Sequence, residues 1–449
     1  MPLRSNLVRE PGRVASHDGP ADPGREVVGV VAAAAVIVGA IWIAHRHGAS
    51  LERDGFVIQL RMAPFYGRPW EPIDGGWWAA LGFGAVLVAG IVRAARSCSV
   101  RLLAGVTGGV HALWALGLAW LHDPTEIGRP MAHRHGYLPM VDRIDGVGEY
   151  WRSFLDAAPT YPIHVRGHPP LFPLWLVGLD RVGLGGETAA GVMVVLVGAS
   201  GAAAVVLTTR LLVGEQWARR AAPFIGVAAF APMVASTADA AFSGVAAWSI
   251  WSIVAATTSR GRHPIWFGGL AGTLIGIGLL LSYGSGIVAV VCGAIALIRR
   301  KVVVAAIATA TSVAVLTLAW LLGFSYLDGL RYVRDEYEAG VASQRPFWSF
   351  ALFNVVAFSA IVGPAAAAAL VYAVRRRSPI LAVAGIGVTM ATIALISGMS
   401  KGEVERIWLS FAIWTVAVGA IYLRRSHIVI GLGTQVVSAV VLQFAVKSW

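Results

Sequence analysis

The sequence predicts an all-α protein that crosses a membrane many times, and three observations lead to this fold class. The chain has 449 residues, of which 57% are hydrophobic and only 13% are charged. Apolar runs of about 17 to 25 residues, the length that a membrane-spanning helix needs, recur along the whole chain. The short connectors between several of these runs are rich in arginine and contain no acidic residue.

The apolar runs predict about 13 spanning helices. The first run follows a polar tail and ends in "AHRHG", which is not the small-residue cleavage site of a signal peptide. The two cysteines, Cys98 and Cys292, imply no disulfide framework. Three glycines in "GGLAGTLIG" share one helical face and predict close helix packing. The predicted spans are 27–45, 77–95, 102–121, 187–212, 221–238, 242–258, 264–281, 284–298, 302–322, 350–374, 379–397, 407–423 and 428–446.

The distribution of charge predicts how the chain is oriented. The connectors "RRK", "RRR" and "RR" at 299–301, 375–377 and 424–425 belong on the cytoplasmic side by the positive-inside rule. With that assignment the cytoplasmic segments carry 20 Lys+Arg and 5 Asp+Glu, and the outer segments carry 16 and 19. The N-terminus is then cytoplasmic and the C-terminus lies outside. The net charge of +12 is thus explained by topology, and no nucleic-acid partner is expected.

Segment 169–183 is too short to span a membrane and contains three prolines, so we expect an interfacial helix on the outer surface. Prolines suit the first turn of a helix, and Pro169 and Pro170 also favour an extended conformation at His168. Four outer segments are polar, and two of them are large loops, 122–186 and 323–349; the other two are 47–76 and 398–406.

The loop 122–186 holds the acids that are the first candidates for catalysis, Asp142, Asp145 and Asp123. His164 and His168 close this loop in "YPIHVRGHPPL". Each acid alone is also an ordinary residue of a solvated loop, and "HPP" also fits a plain helix start.

The remaining candidates lie in other outer segments. Arginines among aromatic residues in loop 323–349 suit either lipid headgroups or a lipid-linked phosphate. Four charges in "SKGEVERIW" are costly at a bilayer unless they pair or face a polar cavity. Asp239 and Tyr283 each lie at the outer end of a predicted helix. The candidates in these segments are Arg331, Arg345, Lys401, Arg406, Glu403, Glu405, Asp239 and Tyr283.

All of these polar clusters fall on the predicted outer side of the membrane. The inner connectors are short and basic and contain no nucleotide-binding glycine loop. Chemistry with a cytosolic nucleotide donor is therefore disfavoured, and a donor carried by lipid fits better.

The chain resembles the GT-C superfamily of polytopic glycosyltransferases, which use polyprenyl-phosphate sugars. The resemblance rests on the acid-bearing outer loop, "HVRGHPPL" at its end, the interfacial helix after it, and the segments "GLLLSYGSG" and "KGEVERIWLSF", which are similar to motifs of actinobacterial members. It covers roughly 102–425 as the catalytic module. Residues 1–26 then form a cytoplasmic tail, 27–101 a two-helix addition and 426–449 a C-terminal helix.

The resemblance implies an inverting sugar transfer in the cytoplasmic membrane, with the active site outside. An outer-loop aspartate acts as general base on the acceptor hydroxyl; Asp142, Asp145 and Asp123 are the candidates in that order. The acceptor is a cell-envelope glycan, a glycolipid or a protein, and membrane lipids surround the chain. Whether a divalent metal ion assists is left open. His168, His164, Arg331, Arg345, Lys401 and Arg406 are the candidates for binding the donor and its phosphate.

Two other functions stay open. A transporter or flippase for a lipid-linked glycan has polar groups in broken helices near the bilayer midplane. A non-catalytic scaffold of an envelope-synthesis complex tolerates the loss of any single loop carboxylate.

Overall fold

The computed structural model of the chain describes residues 23–69, 76–235, 237–422 and 424–447. These residues form an almost entirely helical structure, with short 3-10 helices at 124–126, 138–143, 158–160, 283–285 and 416–421. Two short strands, β1 (Arg68–Pro69) and β2 (Val446–Lys447), pair antiparallel. The predicted tail 1–26 lies almost wholly outside the described residues. The helices are α1 (Pro23–Arg53), α2 (Gly76–Ser97), α3 (Val100–His122), α4 (Arg129–Ala132), α5 (Val147–Ala157), α6 (Ile163–Arg166), α7 (Leu171–Arg181), α8 (Glu187–Val213), α9 (Glu215–Gly226), α10 (Ala231–Val234), α11 (Asp239–Thr258), α12 (His263–Leu281), α13 (Gly286–Ile298), α14 (Val302–Leu321), α15 (Tyr326–Ala339), α16 (Val341–Gln344), α17 (Phe347–Val362), α18 (Pro364–Arg375), α19 (Leu381–Ser397), α20 (Val404–Ile407), α21 (Leu409–Thr415) and α22 (Arg425–Ala445).

The described residues contain eight helices that are long and apolar enough to cross a membrane, namely α1, α2, α3, α8, α11, α12, α14 and α22. A ninth span results if α17 and α18 are counted together, although the chain bends by 100° between them. This is the architecture of a polytopic membrane protein, as the composition predicts. The count of 13 spans remains a prediction.

Besides 350–374, which bends between α17 and α18, four predicted spans differ from continuous long helices in the structure. The segment 221–238 is divided, because α9 ends at Gly226, shortly after its internal Pro223, and the short α10 follows. The segments 284–298 and 379–397 form shorter apolar helices. In 407–423 the seven residues of α21 pass directly into a 3-10 helix, so the rise per residue changes within the segment.

Helix α8 lies at the centre of the bundle, where it packs against α3, α9 and α11. Glycines allow the closest of these approaches, since a β-carbon at Gly244 on α11 would lie 2.1 Å from the carbonyl oxygen of Val197. The predicted glycine face is present as well. A β-carbon at Gly272 would lie 2.1 Å from the carbonyl oxygen of Ala308, and this contact brings α12 against α14.

The N-terminal helices pack closely against the rest of the bundle. Helix α1 lies against α17 and α18, and α2 lies against α3, α9 and α22. The loop after α1 buries Ile58, Leu60 and Ala63 in a small apolar cluster with Phe350 and Phe353 of α17. The loop therefore reaches the segment that joins α19 to α20, where several charged residues lie.

Candidate functional site

A buried ion pair lies at the centre of the candidate site. Arg406 Nη1 donates to Asp239 Oδ2 over 2.6 Å, and both side chains are about nine-tenths buried. Arg406 also donates to Glu403 Oε2 from its Nε and its Nη2. One guanidinium thus holds two carboxylates, one from its own segment and one 167 positions away, and the fork geometry of arginine suits this arrangement.

The turn before α11 fixes the orientation of Asp239. Thr237 Oγ1 donates to Asp239 Oδ2 over 2.5 Å, and the Asp239 backbone N–H donates to the same Oγ1 over 2.9 Å. A carboxylate in the first turn of a helix is also stabilised by the helix dipole. Both side-chain hydrogen bonds go to Oδ2, and Oδ1 has no hydrogen-bond partner among the described residues.

A small cavity of about 20 Å³ lies beside this pair. Its wall includes Tyr137 and His164 from loop 122–186 as well as Thr237, Asp239 and Arg406. The volume is enough for about one water molecule. The cavity therefore brings polar groups from three distant stretches of the chain around one point, with a carboxylate and a guanidinium in its wall.

The two predicted histidines lie next to each other and to Tyr137. His168 Nδ1 is 2.8 Å from the carbonyl oxygen of His164 and 3.1 Å from the Tyr137 hydroxyl. Because a carbonyl oxygen only accepts, Nδ1 carries the proton, and Nε2 is the acceptor nitrogen of the neutral ring. The Tyr137 ring stacks on His164 with centroids 6.2 Å apart.

The electrostatic environment keeps both imidazoles neutral near pH 7. Burial lowers the pKa of His164 to about 3, and the charge of Arg406 acts in the same direction. Burial also lowers the pKa of His168, although the charge of Asp239 opposes this effect. The charge at the centre is therefore set by Arg406 against Asp239 and Glu403, and the histidines serve as neutral hydrogen-bonding groups.

Two further cations, Arg345 and Lys401, lie beside the same segment. Arg345 is only 8% exposed; its Nη1 donates to the carbonyl oxygen of Lys401, and its guanidinium lies 5.0 Å from the centroid of Phe350. Its Nε is buried without a hydrogen-bond partner in the part of the chain that the structure describes. Lys401 Nζ lies 5.8 Å from the centroid of Tyr337. Within the described ranges neither cation makes an ion pair with a carboxylate.

The burial of this cation pair has electrostatic consequences. Burial lowers the pKa of Lys401, and the positive charge of Arg345 lowers it further. Burial likewise lowers the pKa of Arg345, although Glu403 opposes this effect. Two partly desolvated cations that repel each other form a site at which an anion would be stabilised.

Glu405 is buried on the same short segment. Its side chain is 3% exposed, and Oε1 accepts the backbone N–H of Tyr66 over 2.8 Å. Its Oε2 is buried without a hydrogen-bond partner among the described residues. The backbone turns sharply before it, with φ of +94° at Gly402 and +60° at Glu403. This turn directs Glu403 and Glu405 to different neighbours.

The other predicted residues, Arg331 and Tyr283, make contacts within the outer loops. Arg331 is exposed and pairs with Asp328 at 2.7 Å. Tyr283 packs against Tyr326 with ring centroids 5.5 Å apart, and thereby supports α15. Arg166 pairs with Glu336 at 3.2 Å, which joins the two large loops.

The three aspartates predicted as base candidates are not brought into this centre by any contact in the described residues. Asp142 and Asp145 are exposed on loop 122–186. Asp123 ends α3 and accepts the N–H of Thr125 over 2.9 Å, and it lies 3.6 Å from Arg129. The Thr125 hydrogen bonds lower the pKa of Asp123. Asp123 thus stabilises the start of the loop.

Tyr137 and Thr237 belong to the candidate site although neither is among the residues predicted from the sequence. Thr237 could have been predicted, since a threonine just before an acidic helix start is typical of a helix N-terminus. No sequence pattern distinguished Tyr137, because an aromatic residue in a polar loop near the membrane is expected anyway.

The described residues contain no group of three or more His, Cys, Asp or Glu side chains arranged to hold a metal ion. No protein-family model matches the sequence, and no curated protein or solved structure is significantly similar to it. The function is therefore inferred from the geometry of the site.

Proposed function

We propose that this protein is an inverting glycosyltransferase of the GT-C type, which moves a sugar from a polyprenyl-phosphate lipid to an acceptor outside the cytoplasmic membrane. In the reaction an acceptor oxygen forms a bond to the anomeric carbon, while the bond from that carbon to the phosphate breaks. A carboxylate takes the acceptor proton, and cations stabilise the charge that the phosphate gains.

One observation carries the proposal: the stretch Lys401–Trp408 joins three features that such a reaction needs. Lys401 lies beside the buried Arg345. Arg406 holds the two carboxylates Asp239 and Glu403. Trp408 lines an apolar groove. A lipid phosphate has an apolar chain and an anionic head, and the acceptor hydroxyl needs a base. The groove, the cations and the carboxylates of this one segment suit these three parts in turn.

The groove supports a lipid-carried donor. It has a volume of about 220 Å³ and an almost wholly apolar wall that includes Phe358 of α17, Leu395 of α19 and Trp408. It lies where the chain turns by 100° between α17 and α18. An isoprenoid chain that entered there would place its phosphate near the polar segment that carries Lys401.

For the phosphate, Arg345 and Lys401 are the better candidates among the predicted cations. Arg406 is already neutralised by two carboxylates, and Arg331 is exposed and paired with Asp328. Arg345 and Lys401 retain their attraction for an anion because no described carboxylate is within ion-pair distance of them. His168 and His164 then act as neutral hydrogen-bonding groups at the sugar.

For the base, the geometry favours Asp239, since its Oδ1 is free of hydrogen bonds to described residues and the side chain lines the cavity. Asp142, Asp145 and Asp123 remain candidates if substrate binding draws loop 122–186 inward. The proposal includes the predicted topology of 13 crossings, with both large loops and the site outside and the N-terminus inside. The acceptor is an envelope glycan, a glycolipid or a protein.

The experiment that tests the proposal is sugar transfer by the purified full-length protein in liposomes. Donors are polyprenyl phosphates that carry a radiolabelled hexose or pentose, and the products are a glycosylated acceptor and free polyprenyl phosphate. Asp239→Asn, Asp142→Asn, Asp145→Asn and Asp123→Asn are compared with Asp156→Asn, an exposed aspartate of the same loop. The proposal expects one of the first four to abolish transfer, whereas the Asp156 variant retains it.

A second function is favoured by a different observation, the joining of two helix breaks by one buried side chain. Gln435 of α22 accepts the N–H of Ala229 over 2.9 Å and donates to the carbonyl oxygen of Val362 over 3.1 Å. Discontinuous helices that meet inside a bundle are typical of transporters. The alternative is therefore a transporter or flippase for a lipid-linked glycan.

The two functions differ in their products. A flippase moves a fluorescent polyprenyl-phosphate sugar between the leaflets of a liposome without breaking its glycosidic bond. Movement of the lipid without hydrolysis or transfer of its sugar would rule out the glycosyltransferase proposal. A protein that neither transfers nor moves the lipid would instead fit the scaffold.

A further inference from the structure

The loop between the two N-terminal helices lies beside Gly402 and the buried Arg345 of the cation pair. A β-carbon at Gly402 would lie 3.2 Å from the side chain of Leu60 and 3.4 Å from Nη1 of Arg345. Residues 56–66 thus reach the segment that carries Lys401, and Tyr66 is near enough for its charge state to affect the pKa of Arg345. We name residues 56–66 the cover loop.

Two kinds of contact hold the cover loop in place. The first is apolar, since Ile58, Leu60 and Phe65 are each at most 3% exposed. The second is the hydrogen bond from the Tyr66 N–H to Glu405 Oε1, at 2.8 Å. The carboxyl end of this bond is unusual, because Oε2 is buried and has no partner among the described residues.

We propose that Glu405 is a proton-controlled latch, which holds the cover loop beside the cation pair while it is protonated and releases the loop when it ionises. A neutral carboxyl can still accept the Tyr66 N–H with its carbonyl oxygen and leaves little charge to desolvate. An ionised carboxylate leaves a buried, unpartnered oxygen, which gains hydration only when the loop lifts.

The surroundings of Glu405 favour its neutral form in the latched state. On its own segment Glu403 disfavours a second negative charge, while Arg406 favours it. Arg406 is already bound to Asp239 of α11 and to Glu403, and Arg345 precedes α17 on the cation-pair side. The cover loop contributes the Tyr66 N–H, which lowers the pKa of Glu405, and its cation Arg61 is exposed and forms no ion pair with Glu405. Burial, the largest effect, raises the pKa of Glu405 to about 7.

The raised pKa of Glu405 determines how the stability of the latched state depends on pH. The latched state binds the proton more tightly than the open state, in which the carboxyl has its ordinary pKa of 4.5. Latching is therefore strongest at low pH and weakens as the pH rises from that value towards about 7. With the loop released, an anionic headgroup reaches Arg345 more easily above neutral pH. This consequence for lipid-phosphate binding rests on the proposed function.

Hydrogen exchange on the full-length protein in nanodiscs tests the latch without any sugar donor. After correction for intrinsic exchange, we expect opening of the cover loop in the wild type to increase about tenfold from pH 6 to pH 8. Glu405→Gln keeps an acceptor for Tyr66 but cannot ionise, so its protection should not change with pH. Glu52→Gln, an exposed glutamate of the same hairpin, is the matched control and should behave like the wild type.

A wild-type loop whose corrected opening is the same at both pH values would overturn the proposal, as would a Glu405→Gln variant with the wild-type pH dependence. Glu405→Leu removes the acceptor and should expose the loop at both pH values. If that variant fails to fold, the comparison of the wild type with Glu405→Gln still decides. Because no transfer is measured, the latch and the glycosyltransferase activity succeed or fail separately.

Discussion

Arg406 and Asp239 lie 167 positions apart in the chain and form a buried ion pair, with 2.6 Å between Nη1 and Oδ2. The pair connects the start of α11 to the short α20. It also places a carboxylate and a guanidinium in the wall of one cavity together with residues of loop 122–186. The tertiary structure thus brings together groups that the sequence holds in separate segments.

The first prediction concerns the stability of this pair. Asp239→Ala should lower the free energy of unfolding by about 3–5 kcal/mol, because it leaves a buried guanidinium with one carboxylate fewer. Thermal unfolding of the detergent-solubilised protein measures the loss. Asp328→Ala breaks an exposed ion pair and should change the melting temperature little. Equal effects of the two variants would contradict the structural role of the buried pair.

The second prediction concerns anion binding. Arg345→Gln and Lys401→Gln should each weaken binding of a short-chain polyprenyl phosphate about tenfold, since each removes a charge-assisted hydrogen bond worth roughly 1.5 kcal/mol. Isothermal titration calorimetry gives the two dissociation constants. Arg331→Gln is the control, because Arg331 is exposed and paired with Asp328. A loss as large in the control would place the phosphate elsewhere.

The third prediction concerns the two helix breaks. Gln435→Leu removes the hydrogen bonds to Ala229 and Val362 and leaves two buried backbone groups without partners. We expect a loss of about 1–3 kcal/mol in thermal unfolding. Thr434→Val, the neighbouring substitution, removes only a bond within α22 and should have a smaller effect. If the order were reversed, Gln435 would not be the group that holds the two breaks together.

The fourth prediction concerns the packing of α12 against α14. Gly272→Ala should destabilise the protein by about 1–3 kcal/mol, because the added methyl group would overlap the carbonyl oxygen of Ala308. Gly269→Ala is the matched control on the same helix, where nothing lies within 4 Å of the added carbon. Alanine favours helix more than glycine does, so the control should be neutral or slightly stabilising. A tolerated Gly272→Ala would show that the two helices can separate at little cost.

The fifth prediction is a loss of stability in acid that depends on His164. Its pKa in the folded protein is about 3, against an ordinary value of 6.5, so below pH 6.5 the unfolded chain binds more protons. Stability should therefore fall as the pH decreases from 6.5 towards 3, with a contribution of up to roughly 1.4 kcal/mol per pH unit from one histidine. Melting temperatures across this range should fall less steeply in His164→Gln. The exposed His133→Gln should retain the wild-type slope.

Local features of the structure were predictable because their causes are local. The segment 169–183 contains the short helix Leu171–Arg181, as its prolines and its length indicate. Gly268, Gly272 and Gly276 of "GGLAGTLIG" lie at a helix contact because small residues allow backbones to approach. The long helices follow from apolar runs that meet the length of a bilayer.

The breaks and the pairings were not predictable in the same way. Residues 227–230 are as apolar as a spanning helix, so hydropathy does not reveal that the helix ends at Gly226. Likewise Glu403 and Glu405 lie two positions apart, yet one pairs with Arg406 and the other with the backbone of Tyr66. Which partner each acid takes depends on a turn with positive φ at Gly402 and on a loop more than 300 positions away.

The sharp turn at Gly363 has a consequence for how the chain fits the thickness of a bilayer. A straight helix over Phe347–Arg375 would be roughly 43 Å long, whereas the hydrocarbon layer is about 30 Å thick. A helix that is too long usually tilts or thickens the bilayer around it. Here the chain bends by 100° at Gly363 instead, which leaves α17 roughly 24 Å long and α18 roughly 18 Å long. Neither arm alone reaches across a layer of that thickness, so the segment is a broken span or a re-entrant loop and not one straight crossing.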